Sequence, residues 1–159
     1  MTENHNQKSG KILGIDLGTK KTGLAYSDES QTLAFTWTVI EDDLEKQFNT
    51  LSNLILKKGF QHIVFGLPSQ EGEWKSKIQA FALRLKSALN EHFTTSTSNH
   101  PPTSPLISFF DEDFSTFEAG QNLSEIKSTL GKKKRQKMDT SKDDAEAARI
   151  MLQRFLDQN

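Results

Sequence analysis

The sequence predicts an α/β domain built on a five-stranded mixed sheet, and three observations predict it. The first third holds three short β-like runs joined by brief turns, the mark of an antiparallel meander. Beyond Asp42 the apolar spacing changes to the helical period. Thereafter compact apolar runs alternate with helical stretches, which is how parallel strands and their crossovers read. The order is β-β-β-α-β-α-β-α. Right-handed crossovers would place the two later strands beside the first, with helices flanking both faces.

Taken in order, residues 1–10 (MTENHNQKSG) are a polar, disordered lead-in, and 11–159 form a single domain. Ile12 to Ile15 form a strand that ends in a carboxylate, Asp16. A turn follows through Gly18, Thr19, Lys20 and Lys21, and the second strand runs from Thr22 to Ser27. A third runs from Leu33 to Val39, where apolar residues alternate with threonine. Leu44, Phe48, Leu51 and Ile55 then mark one face of a helix opened by acidic residues and closed by Lys57, Lys58 and Gly59. The run from His62 to Gly66 reads as a buried parallel strand. A second helix spans about Trp74 to His92. Residues 94–105, rich in Ser, Thr and Pro, form a surface loop, and the last strand is Leu106 to Phe110. Ser115 and Glu118 have capping-box spacing and open a third helix. Residues 131–138 are a basic loop, and the closing helix runs from about Asp144 to Leu156.

Composition limits the functional classes. At 159 residues the chain is long enough for one sizeable core. Its formal net charge of −1 means that any polyanion footprint must be local. The absence of cysteine excludes disulfides and thiolate metal sites. No apolar run approaches the roughly 20 residues needed to span a bilayer, and the lead-in lacks the apolar core of a signal peptide. A soluble, cytoplasmic protein without a membrane partner is expected.

A carboxylate at the end of a buried strand is costly unless something cationic satisfies it. Asp16 is one such group, and the cluster Asp111, Glu112 and Asp113 follows another strand. At about 100° per residue, Ala148, Met151 and Phe155 lie within roughly 40° of Asp144. Asp144 therefore falls at the start of the closing helix, on its apolar face, while Asp143 and Glu146 have the spacing to cap it. Singly, these acids read as turn or first-turn residues. Together, Asp16, Glu112 and Asp144 could converge at one edge of the sheet, where open α/β sheets place their ligands. Hard oxygen donors of this kind suit Mg2+ or Mn2+. A pair of such ions activates a water and stabilises the leaving oxygen of a phosphodiester.

The stretches GIDLGTKKTGLAYSD, IVFGLP with Gly72, DEDFSTFEA and DDAEAARIMLQRFL, in that order, resemble the YqgF family. Those Holliday-junction-resolvase-like proteins are viewed in bacteria as nucleases that mature the precursor of 16S rRNA. The resemblance covers nearly everything from Ile12 to Leu156. It implies an RNase H-like fold and divalent-metal phosphodiester cleavage. It also places the family's catalytic acids on Asp16, Glu112 and Asp144, the last through the register of Ala147, Ala148, Leu152 and Gln153. One departure stands beside them: Asp113 replaces the family's usual arginine, which would stabilise charge at a phosphate.

Lys132, Lys133, Lys134, Arg135 and Lys137 place five positive charges within six residues, just before the closing helix. With Lys20 and Lys21 they are candidates for phosphate-backbone contact. Trp74 is the aromatic most open to base stacking, the phenylalanines being mostly core. The expected partner is structured RNA (precursor rRNA) or branched DNA, with ribosomal particles also in view. Two other readings stand beside the nuclease. GIDLGT also resembles the first phosphate loop of actin-like and sugar-kinase proteins, although only one copy is present. A non-catalytic RNA- or ribosome-binding module would use the basic loop alone.

Overall fold

The computed structural model describes residues 10–95, 104–111 and 140–159, with the backbone alone at 140–143. Its elements are β1 (Ile12–Asp16), β2 (Lys21–Ser27), β3 (Ala34–Glu41), α1 (Leu44–Lys58), β4 (His62–Leu67), α2 (Glu73–Thr94), β5 (Leu106–Asp111) and α3 (Thr140–Gln158). The expected helix opening at Ser115 and the basic loop lie outside the described residues.

The strand order is β3-β2-β1-β4-β5. β1 pairs antiparallel with β2, and β2 with β3, whereas β1–β4 and β4–β5 are parallel. The expected meander with two crossover strands laid beside β1 is the observed sheet. Strand alternation divides the core. Leu13, Ile15, Leu24, Ile63 and Phe65 pack beneath α1 and α2, with Phe48, Leu51, Ile55, Ile78, Phe81 and Leu85. Ile12, Ala25, Val64 and Phe110 face the other way, against Ala148, Met151, Leu152 and Leu156 of α3.

Local chemistry sets the boundaries. Asp43 caps α1, its side chain accepting the Lys46 N–H at 3.0 Å. Gly59 ends the helix at φ 70°, a left-handed conformation that suits glycine. β3 starts one residue later than its apolar pattern suggests. Asp28 accepts the N–H groups of Thr32 at 2.7 Å and Leu33 at 3.0 Å. Leu33 is thereby held in the hairpin loop, 54% exposed. Those bonds, with that of Ser30, hold the Asp28 carboxyl below its ordinary range.

α3 begins at Thr140, one turn earlier than expected. Asp144 therefore lies inside the helix rather than at its start, and the proposed Asp143–Glu146 cap falls within helical backbone. Glu146 instead binds Arg149, whose Nε donates to it at 2.9 Å, an in-helix acid–base pair.

Candidate active site

α3 approaches the sheet over two glycines. A Cβ on Gly14 would lie 2.9 Å from the Leu152 Cβ, and one on Gly23 only 1.9 Å from the Asp144 backbone oxygen. Gly23 is also the cross-strand partner of Asp16. Paired residues of antiparallel strands have Cα atoms about 4.5–5.5 Å apart and share a face. Asp16 alternates with Ile12 and Gly14, so it too stands on the α3 face. The missing side chain at position 23 thus seats the Asp144 backbone directly over the residue beside Asp16. Both carboxylate residues are half-buried.

Asp16 is carried to this edge by a strand whose other face is core, and the turn after it is stapled to α1. Gln47 is fully buried. Its Nε2 donates to the carbonyls of Gly18 at 3.2 Å and Asp42 at 2.8 Å, and its Oε1 accepts the Thr22 hydroxyl. Thr22 Oγ1 accepts the Gly18 N–H at 3.1 Å, and Asp42 N–H closes onto the Lys20 carbonyl at 2.9 Å. The sequence reading passed over Gln47. The signal was there, since it lies on the same helical face as Leu44, Leu51 and Phe48, a polar residue in an apolar stripe.

Lys20 is exposed on this turn. Lys21 is half-buried and reaches Glu41 at 3.7 Å, so part of its charge is engaged within the sheet. Asp111 faces α2, where Lys75 lies 4.0 Å away. It is therefore turned away from Asp16. Glu112, Asp113 and the basic residues Lys132, Lys133, Lys134, Arg135 and Lys137 lie outside the described residues. Among the described residues no three His, Asp or Glu side chains form a metal cluster; Asp16 and the stretch of α3 that carries Asp144 lie on one face of the sheet. Trp74 corrects an expectation: it packs partly buried against the α1–α2 core. Its helical position, four residues before Ile78, turns it inward.

The Holliday junction resolvase model RuvX matches residues 10–158. The chain belongs to this family. A relative from Sulfurihydrogenibium, bearing the name "Putative pre-16S rRNA nuclease", is 32% identical, the match covering 92% of this chain and 90% of the relative. One from Dictyoglomus turgidum with the same name is 34% identical over 92% of this chain and 94% of its own. Among solved structures, Thermus thermophilus RuvC in complex with a Holliday junction substrate superposes with a TM-score of 0.53 at 13% identity, covering 94% of each chain. At that identity the likeness shows the RNase H-like fold alone. Family membership makes the chain a nuclease, a hydrolase of phosphodiester bonds, and removes the actin-like reading. No helix among the described residues is long and apolar enough to cross a membrane.

Proposed function

We propose that this protein is a divalent-metal-dependent endonuclease of the cytoplasm that matures the 5′ end of precursor 16S rRNA during ribosome biogenesis. The observation that carries the site is the seating of Asp144 over Gly23, beside Asp16. The names of its relatives support the substrate. Asp16, Glu112 and Asp144 are the proposed metal ligands and catalytic acids. Glu112 follows Asp111, the last residue of β5, in the sequence.

The two described donors fit Mg2+ or Mn2+, which prefer carboxylate and water oxygens to nitrogen or sulfur. When bound, such ions supply a water nucleophile and stabilise the leaving oxygen. The chain's own contribution is placement. Gly23 and Gly14 set the depth of α3, hence the position of the Asp144 carboxylate, and the Gln47 staple holds the backbone that follows Asp16. Lys20 presents positive charge beside these acids, and it serves, with Lys21 and the basic residues 132–135 and 137, to hold the phosphate backbone. An Arg-for-Asp113 replacement would restore the family's usual cation there.

The second reading, a branched-DNA resolvase, is favoured by the family description and by the junction-bound RuvC neighbour. Incubating a precursor 16S rRNA fragment and a four-way DNA junction with Mg2+, Mn2+ or EDTA separates the two. Cleavage of the RNA, lost in EDTA and in Asp144→Asn, is expected. Cleavage of the junction alone would support the second reading. RNA bound without turnover in either metal would leave a binding module.

A further inference from the structure

A cleft of about 260 Å3 lies between Lys11, Tyr26, Trp37, Lys58 and Phe60. Its wall is a chain of rings. Tyr26 meets Phe35 with centroids 5.5 Å apart and Trp37 at 6.4 Å, and Trp37 meets Phe60 at 5.7 Å. Phe60 is buried and anchors the row. Tyr26 and Trp37 are half-buried, and Phe35 is 43% exposed. Lys11 Nζ stands 5.7 Å above the Tyr26 ring, and Lys58 ends α1 on the other side of the cleft. Among the described residues neither lysine meets a carboxylate and no acid lines the cleft.

An aromatic face that stays open on an edge strand costs solvation unless a ligand covers it. Two cations without acidic partners select an anion. The ligand class that joins flat apolar rings to a repeating anion is single-stranded nucleic acid, whose bases stack on aromatic side chains while lysines follow the backbone. An apolar peptide would use the rings but leave both charges idle. The cleft lies away from the carboxylates. Tyr26 pairs with Leu13 at the opening of β1 and faces α1. Asp16 is at the closing end, roughly 16 Å from Lys11 at about 3.3 Å per residue, and faces α3.

We propose that the Tyr26–Phe35–Trp37 strip, with Lys11 and Lys58, is an exosite for a single-stranded RNA segment flanking the cleaved bond. It deepens the nuclease reading by giving the substrate a second, unpaired contact that passes the β3 edge. The bases stack without sequence preference, because every base offers a ring face.

The test measures binding in EDTA, so that the carboxylates and turnover play no part. Trp74→Phe leaves Trp37 as the sole tryptophan. Titration with an eight-nucleotide single-stranded RNA should quench Trp37 fluorescence. Phe35→Ala should weaken the quenching midpoint about tenfold. Lys11→Gln with Lys58→Gln should weaken it further and lower the slope of log K against log salt by about 1.4, at about 0.7 per phosphate contact. Each variant is compared at matched circular dichroism and thermal unfolding. Four results would overturn the exosite: RNA binding without quenching, quenching indifferent to both lysines, equal quenching by AMP alone, or tighter quenching by an uncharged apolar peptide. Because the lysine variant leaves Asp16, Glu112 and Asp144 intact, unchanged quenching in that variant with retained cleavage would reject the exosite and not the nuclease.

Discussion

Gln47 shows how one buried amide can govern a neighbouring site. It satisfies the carbonyls of Gly18 and Asp42 and the fully buried hydroxyl of Thr22. Gln47→Leu keeps the volume but leaves these groups unpaired, at about 1–3 kcal/mol for each buried group so stranded. Denaturant unfolding should show a loss of at least that size, with slower metal-dependent cleavage because the turn after Asp16 loosens. His62 offers a pH readout independent of catalysis. It is half-buried beside the Phe155 ring, bonded to Ser108 Oγ at 2.7 Å, and burial lowers its pKa from 6.5. As pH falls through 6.5 the unfolded chain takes up a proton that the folded chain still refuses. Stability therefore falls in that window and levels off below the folded pKa. His62→Gln should flatten this segment of the unfolding free energy plotted against pH.

At the scale of elements, the meander, both crossovers and the polarity of every described helix were legible, because alternation and helical spacing are local patterns. The boundaries were less so. Leu33 continues the apolar run of β3 yet is withheld from it by Asp28, a side-chain competition that hydrophobic spacing does not record. The first turn of α3 escaped for a related reason, since its residues before Asp144 are polar and carry no periodicity. The docking of α3 is where an element makes the site. Gly23→Ala would force a Cβ into the Asp144 carbonyl at 1.9 Å, where the neighbour is backbone and cannot swing aside. Lifting the helix should cost about 1–3 kcal/mol, as other overpacking does. Cleavage should fall further than the lost stability explains, because Asp144 moves with its helix; thermal unfolding and turnover measured on the same sample compare the two losses.

At the scale of the molecule, Asp16 and the Asp144 backbone, from distant parts of the chain, meet on one face of the sheet, where the proposed divalent cation would bind. A ligand that binds only the folded state adds stability, about 2.7 kcal/mol at a hundredfold excess over its dissociation constant. Mg2+ or Mn2+ should therefore raise the thermal midpoint of the native protein and raise that of Asp144→Asn much less. An equal rise in both would remove Asp144 from the metal site. The sequence by itself determined the order of elements, the sheet they build and the acids worth suspecting, because hydrophobic period, turn chemistry and family motifs are written along the chain. Only the tertiary structure decided that Asp144 rests over the partner of Asp16, that Asp111 turns away toward Lys75, and that Trp37 rather than Trp74 lines an open aromatic wall. Each of those outcomes depends on which residues meet across the sheet. The physical reason lies in atoms that are far apart in sequence or missing altogether, as at Gly23, where the absent Cβ brings the two carboxylate residues together.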